Sequence, residues 1–211
     1  MPETTRRQIV VGVTGASGAV YARRLLDCLD SAGIDVHLVA SPNAQRVSAE
    51  ELAIKEFTVE AFLGRPSARI ILYPYQDIGA RIASASFRTD GMIVCPCSSH
   101  SLGGIVAGLG DNLILRAAAV TLKEARRLVV VPRETPVSRI DLRNALRLSE
   151  AGAIVCPASP GFYMLPRTVG DLVDFVVGKL LDLLEVPHNL NTRWTGSATP
   201  GTTDREGSMQ S

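Results

Sequence analysis

Short apolar runs alternate with amphipathic stretches along most of the chain. Six of the runs predict buried β-strands, at residues 9–13, 36–40, 69–73, 91–97, 127–132 and 153–157. The stretches between them carry a helical period; Ala22, Leu25, Leu26 and Leu29, for example, fall on one helical face. Continuous apolar strands that alternate with helices are typical of a parallel sheet covered on both faces. The pattern therefore predicts a single three-layer α/β domain with a doubly wound parallel sheet, flavodoxin-like or Rossmann-like.

The two ends of the predicted domain differ in character. A helix is predicted over 168–184, and Thr168 with Asp171 three residues later is typical of a helix cap. Residues 195–211 consist mostly of small and polar side chains, which favour disorder. The sequence thus predicts one domain over residues 1–194 and a disordered C-terminal tail over 195–211.

Composition and charge exclude several classes of protein. The chain is 46% hydrophobic, and its 22 Lys and Arg nearly balance its 21 Asp and Glu, so no global attraction to nucleic acid or to an anionic membrane is expected. The N-terminus lacks a secretory apolar core, and no apolar run is long enough to span a bilayer. Four cysteines, Cys28, Cys95, Cys97 and Cys156, are interpreted as thiols in a reducing cytoplasm.

Ligands of doubly wound sheets bind beyond the carboxyl ends of the strands, so the residues after each strand are the candidates. The first strand is followed by Gly15, Ala16, Ser17 and Gly18, a small-residue turn whose backbone N–H groups could hold an anion. The alternative is a tight turn selected only for packing. The second strand is followed by Ser41 and not by the acidic residue that binds the ribose of a dinucleotide, which favours FMN over NAD.

Two further strand exits carry polar groups. After the fourth strand, Ser98, Ser99, His100 and Ser101 place hydroxyls at a predicted helix N-terminus, which suits a phosphate or a flavin. After the fifth, Arg133 and Glu134 place opposite charges side by side. Ser99 and His100 are not a convincing catalytic pair, because neighbours in sequence rarely face each other and no nucleophile-elbow motif is present.

Two predicted helices carry charges on otherwise apolar faces. Glu51 falls on the stripe of Ala44, Val47 and Ile54, so its carboxylate is expected to point towards the sheet; the alternative is an exposed glutamate. Asn112, Arg116 and Lys123 share a face of the helix over 111–125, as an anion site would require, or else form an ordinary solvated surface. The three histidines have no metal-ligand spacing, so no metal is expected.

Five segments in this order resemble the flavin prenyltransferase (UbiX-like) family: TGASGA, PCSSHSLGGIVAG, DNLILRAAAVTLKE, LVVVPRETP and PGFY. The resemblance runs from about residue 9 to residue 194. It implies catalytic roles for Ser17, Glu51 and Glu134. It implies an FMN site formed by Gly15, Ala16, Ser17, Ser41, Ser98, Ser99, His100, Ser101 and Arg133. It implies a substrate phosphate site formed by Arg116, Lys123, Tyr163 and Lys179, with Lys179 at a position where the family commonly has arginine.

The resemblance also implies a reaction and its partners. Reduced FMN would accept a dimethylallyl group at N5 and C6 from dimethylallyl monophosphate, without a metal. The prenylated FMN would serve a UbiD-type decarboxylase, and the active sites would lie between subunits of a homo-oligomer, a dodecamer. One alternative is a flavin-dependent cysteine-type decarboxylase, although the Pro-Ala-Ser-Ala-Asn-Thr-like segment of that group is missing. Another is a non-catalytic flavin-binding subunit of a decarboxylase complex.

Overall fold

The fold is built on one sheet of six parallel strands with β1 near its centre. A computed structural model describes residues 6–190 and 192. The strands follow the order β3-β2-β1-β4-β5-β6, and Ile9 of β1 pairs with Val36 on one side and with Gly91 on the other. Their bounds are β1 Gln8–Val13, β2 Asp35–Ala40, β3 Ile70–Tyr73, β4 Gly91–Cys97, β5 Leu128–Pro132 and β6 Ile154–Val155.

Helices cover both faces of this sheet. Ile9, Val11 and Val13 of β1 point into the core beneath α1 and α7, whereas Val10 points into the second core beneath α4 and α5. The helices are α1 Ala19–Ser31, α2 Pro42–Leu52, α3 Val59–Leu63, α4 Ser99–Val106, α5 Leu113–Lys123, α6 Arg139–Glu150 and α7 Val169–Leu183, with a 3-10 helix at Arg81–Ala83. The predicted three-layer, doubly wound α/β fold is confirmed, and its strand order is the Rossmann-like one.

Most predicted elements lie within a residue or two of the observed ones. The predicted helix that carries Glu51 ends before Ile54, because Ala53 takes a left-handed conformation (φ 54°) and ends α2 at Leu52. Thr58 then starts α3, which the sequence analysis missed, by accepting a hydrogen bond from the backbone of Ala61. The strand expected over 153–157 shrinks to two residues at the sheet edge. The tail predicted over 195–211 lies outside the described residues.

The last helix begins at the predicted cap. The Thr168 side chain accepts from the backbone N–H of Asp171, and the Asp171 carboxylate accepts in return from the backbone of Thr168. This reciprocal pair satisfies N–H groups that a helix start leaves without partners. No helix within residues 6–190 has the length and apolar character needed to cross a membrane.

The chain changes direction across the sheet between β1 and β4. β1, β2 and β3 extend to one side of this point, and β4, β5 and β6 extend to the other. The loops after β1 and β4 therefore leave the sheet on opposite faces, which opens a crevice between them. The candidate residues of both loops flank this crevice.

Candidate functional site

A buried threonine joins the two loops that flank the crevice. The Thr14 hydroxyl donates to the Pro96 carbonyl (2.9 Å) and accepts from the backbone N–H of Ser98 (2.8 Å). The backbone N–H of Thr14 donates to the same carbonyl at 3.2 Å. Thr14 was not among the predicted site residues. The sequence feature that could have identified it is a hydroxyl at the end of a fully apolar strand, because a buried polar group there needs hydrogen-bond partners.

Arg133 connects the third loop to the other two. Its Nε donates to the Ser17 carbonyl at 3.1 Å, and its backbone N–H donates to the Cys97 carbonyl at 3.3 Å. The structure therefore brings together three of the predicted segments, the turn after β1, the start of α4 and the exit of β5.

The four residues predicted at the start of α4 have different roles. Ser98 is the N-cap, with its side chain accepting from the backbone of Ser101 (3.3 Å) and donating to the Ser101 hydroxyl (3.2 Å). Ser101 is buried, whereas His100 is exposed. The Ser99 hydroxyl instead donates to Oε2 of Glu134 at 3.0 Å.

Glu134 is an exposed carboxylate held by a hydroxyl. No ion pair joins it to Arg133 or Arg139 in the part of the chain that the structure describes. It lines a cavity of about 230 Å³ together with Ser99 and Asp141. A hydrogen bond from the Ser138 side chain lowers the pKa of Asp141, and Arg133 lines the same cavity as the two carboxylates.

Glu51 caps the first helix. Its Oε2 accepts from the backbone N–H of Ala19 (2.8 Å), and both of its oxygens accept from Gly18, at 3.0 and 3.1 Å. The expectation that this carboxylate points towards the sheet is wrong; Glu51 is exposed, as in the alternative, and its carboxylate reaches from α2 to the N-terminus of α1. The expectation that the N–H groups of this turn are available to a ligand is also wrong for Gly18 and Ala19, because Glu51 already supplies the negative charge that a helix start attracts.

Two other predicted cofactor residues shape the turn after β1. Ser41 is the N-cap of α2, with its side chain accepting from the backbone of Ala44 at 3.1 Å, and its N–H donates to the Val13 carbonyl. A Cβ at Gly15 would lie 2.4 Å from the Cβ of Asn43 in α2, so only glycine permits this approach. Gly18 has a φ of 111°, which a residue with a side chain rarely adopts.

Tyr163 packs against α7, the helix that carries Lys179. The Tyr163 ring packs edge-on against Phe175, with 5.5 Å between the ring centroids. Lys179 is one helical turn beyond Phe175, and its charge acts on the thiol of Cys156 at the exit of β6. These two candidates for the substrate phosphate therefore lie near one another on the α7 side of the sheet.

Arg116 and Lys123 lie on the opposite side of the sheet, on α5. Both are exposed and are seven residues apart, about 10 Å along the helix. Arg116 is in the first turn of α5, where Leu113 bonds to the carbonyl of Tyr75 just beyond β3. Lys123 ends the helix two residues after Thr121, which contacts Met92 near the start of β4. Arg116 and Lys123 share one exposed face of α5, as predicted, and their binding of an anion stays a prediction.

Asn112 was predicted to share this helix face with Arg116 and Lys123, but its side chain has a structural role instead. Its side chain accepts from the backbone N–H of Leu115 at 3.1 Å and caps α5. It is buried and so belongs to the helix start and not to a ligand site.

The cysteines are thiols of low reactivity. Burial raises the pKa of the Cys97 thiol to about 12 and raises the pKa of Cys95 as well. Cys28 and Cys156 are half-buried, and burial also raises their pKa values. Among the described residues, no cluster of histidine, cysteine, aspartate and glutamate side chains could hold a metal ion.

Known proteins with this sequence pattern are flavoproteins. Residues 2–181 match the family described as Flavoprotein. The flavin prenyltransferase UbiX of Thermoplasma acidophilum is 48% identical over 187 residues, which cover 89% of this chain and 99% of that protein. The flavin prenyltransferase UbiX of Halalkalibacterium halodurans is 46% identical over 188 residues, which cover 87% of this chain and 91% of that protein.

Solved structures agree. AnUbiX (PadA1), solved with FMN and dimethylallyl pyrophosphate, is 39% identical with a TM-score of 0.81, over 91% of this chain and 99% of that one. A cysteine decarboxylase, TvaF, is 16% identical with a TM-score of 0.57, over 85% of this chain and 98% of that one, a likeness of fold alone. The five motifs, the site built around them and these identities lead to one assignment: the chain belongs to the flavoprotein family and, within it, to the UbiX-type flavin prenyltransferases.

Proposed function

We propose that this enzyme transfers a dimethylallyl group from dimethylallyl monophosphate to N5 and C6 of reduced FMN. The single observation that carries the proposal is the meeting of three motif segments in one crevice, through Thr14, Arg133 and Ser99. Reduced FMN supplies the nucleophilic ring atoms and is itself the acceptor substrate. The product would be prenylated FMN, destined for a UbiD-type decarboxylase.

The residues of the crevice fit a flavin mononucleotide. Serine hydroxyls at the N-terminus of α4 and the Arg133 guanidinium can bind its phosphate and ring edge. At the exit of β2, Ser41 stands where a dinucleotide site usually has an acidic residue for the ribose. The structure of AnUbiX (PadA1) with FMN, at 39% identity, supports the same ligand here.

The reaction needs groups that stabilise the departing phosphate and a group that accepts a proton. Breaking the bond between the allylic carbon and the phosphate oxygen leaves charge on the phosphate, which Tyr163 and Lys179 can stabilise by donating hydrogen bonds. In the ring closure, the prenyl double bond takes up a proton on one carbon while its other, tertiary carbon bonds to C6, and C6 then loses its own proton. We assign the acceptance of the C6 proton to Glu134. Ser17 and Glu51 remain candidates for further proton handling.

The positions of the cations support sites shared between copies of the chain. Lys179 is on α7 and Tyr163 packs against that helix, on one side of the sheet, whereas Arg116 and Lys123 are on α5, on the other. One chain therefore cannot surround a small phosphate with all four groups. A homo-oligomer can, and a related FMN-dependent UbiX-like decarboxylase from Escherichia coli O157:H7, 41% identical with a TM-score of 0.82 over 90% of this chain and 100% of that one, is dodecameric.

The test is the mass of the flavin after reaction. Reduced FMN and dimethylallyl monophosphate are incubated with the protein under anaerobic conditions, and the flavin is extracted for mass spectrometry. We expect the flavin to gain one five-carbon prenyl unit and inorganic phosphate to appear in equal amount. The same reaction with dimethylallyl pyrophosphate identifies the preferred donor. Unchanged flavin with both donors, in the presence of bound FMN, would refute the proposal and favour a non-catalytic flavin-binding subunit.

A further inference from the structure

The hydroxyl of Thr14 is fully used inside the protein. Thr14 is only 2% exposed and directly follows β1. Its hydroxyl has one hydrogen to donate, which goes to the Pro96 carbonyl, and its oxygen accepts from the Ser98 backbone. The side chain therefore contributes through the two loops that it joins, and not by contact with a ligand.

These contacts close a ring around the crevice. From Thr14 the chain continues to Ser17, whose carbonyl accepts from Nε of Arg133. The backbone of Arg133 bonds to Cys97, which lies between the two residues that Thr14 holds. The ring thus includes all three strand exits, and the Thr14 hydroxyl is its side-chain link between β1 and β4.

Loss of that hydroxyl would affect the loop that starts α4. The backbone N–H of Ser98 would lose its acceptor, and a polar group without a partner in a half-buried position destabilises the arrangement that contains it. The Pro96 carbonyl would keep only the weaker bond from the Thr14 backbone, at 3.2 Å. The ligand itself would then have to order Ser98, Ser99 and Ser101. The free energy needed for this ordering would weaken its binding.

We infer that Thr14 is a positioning residue for flavin binding, holding the loops after β1 and β4 at the separation that FMN requires. The inference rests on the proposed function, since it assumes that FMN binds between these loops. It extends the site to a residue that is buried behind the ligand-facing groups.

The experiment compares four variants of the full chain. Thr14→Ser keeps the hydroxyl, whereas Thr14→Val and Thr14→Ala remove it; valine also keeps the shape of threonine. Thr121→Val is the matched control, because Thr121 is 3% exposed and its hydroxyl donates to the Ala117 carbonyl within α5 at 2.8 Å. For each variant we would measure the dissociation constant of FMN by fluorescence quenching, the melting temperature and the visible circular dichroism of bound flavin.

FMN affinity should depend on whether residue 14 carries a hydroxyl group. We expect Thr14→Val and Thr14→Ala to bind FMN about tenfold more weakly or worse, Thr14→Ser to bind nearly normally, and Thr121→Val to lose melting temperature without losing affinity. If the valine variant does not fold, the serine and alanine variants decide, since they differ only in the hydroxyl. Equal affinity in all Thr14 variants, or equal losses in Thr14→Val and Thr121→Val, would overturn the inference alone. Failure of the unaltered protein to bind FMN would overturn the proposed function and the inference with it.

Discussion

Glu51 and Glu134 are carboxylates near strand exits, yet their surroundings differ. Glu51 accepts from two backbone N–H groups at the start of α1. Glu134 is exposed and accepts from one hydroxyl, that of Ser99. The Glu51 carboxylate is already engaged by a helix start, whereas the Glu134 carboxylate lines an open cavity that could hold a substrate. At the scale of the residue, Glu134 is therefore the better candidate for proton transfer.

Glu134→Gln should separate chemistry from binding. The amide keeps the size of the side chain and can still accept from Ser99, but it cannot take up a proton. We expect FMN affinity and melting temperature to stay near normal and the single-turnover rate to fall by roughly 10²–10⁴-fold, the usual range for general acid–base groups. Glu150→Gln, at the exposed end of α6, is the control. A near-normal single-turnover rate would exclude Glu134 from proton transfer and leave Glu51 as the candidate.

His37 makes the stability of the fold depend on pH. It is 3% exposed on β2, and its ring nitrogens contact the Tyr73 hydroxyl and the Gln8 side chain, each at 3.0 Å. Burial, and then the nearby charge of Arg81, lower the pKa of His37 from 6.5 to about 4. The unfolded chain therefore binds a proton at a pH where the folded chain does not.

The free energy of unfolding should fall as the pH is lowered from about 6.5 to about 4. Above the unfolded pKa the contribution of His37 is fully present, and it is lost as the pH falls through the folded pKa; its size is about 3 kcal/mol at most. Urea unfolding at several pH values measures the trend. His37→Gln should flatten the acid side of the profile, whereas His100→Gln, at an exposed position, should not. An unchanged profile in His37→Gln would contradict the assignment.

At the scale of elements, the start of α1 depends on α2. Gly18 begins α1 in a left-handed conformation and offers no side chain as a cap. Glu51 of the neighbouring helix supplies the missing acceptor from 32 and 33 residues away. The position of Glu51 is unusual in the sequence, but its contact with α1 could not be predicted from it, because helical periodicity describes a face of one helix and not the helix beside it.

Glu51→Ala should destabilise the fold. The backbone N–H groups of Gly18 and Ala19 would lose their acceptor, with a cost of about 1 kcal/mol, as for other helix caps. Glu50→Ala is the matched control; Glu50 pairs with Arg46 on the exposed face, and such a pair contributes little. Thermal melts of both variants give the comparison. Equal melting temperatures would contradict the role of Glu51 as a cap.

Other elements show what a pattern of side chains can and cannot predict. β4 was predicted with the right bounds because all seven of its residues are buried, and α7 because its capping box is local in sequence. The end of α2 at Leu52 was missed, since the left-handed conformation of Ala53 leaves no trace in hydropathy. The short α3 was missed because five residues are too few for a helical period to be visible.

At the scale of the whole molecule, the site residues of one chain are divided between the two sides of the sheet. The motifs identified the residue types, but their distribution depends on which face each helix covers, and that is a property of the complete topology. Exposed apolar side chains on α6, Ile140, Leu142 and Leu146, are a further surface that an oligomer could cover.

Hybrid oligomers should reveal sites that are shared. Lys123→Ala and Glu134→Gln should each be nearly inactive alone, because each removes one group from every site. If the two groups come from different copies, co-expression of both variants should restore about a quarter of the normal activity, by random mixing of subunits in a symmetric assembly. Equal amounts of the two proteins, purified separately and not allowed to exchange, are the control. No recovery in the co-expressed sample would place both groups in the same chain.

The contact between Arg7 and the end of α7 has a consequence for synthesis on the ribosome. The Arg7 guanidinium donates to the carbonyls of Leu184 and Glu185, 177 and 178 residues further on. At roughly 5–20 residues per second, these acceptors are made about ten to forty seconds after Arg7. β1 meets its partner β4 earlier, once residue 91 has been made. Until then the central strand of the sheet has one edge open, and β2 is the strand available in the nascent chain to pair with it.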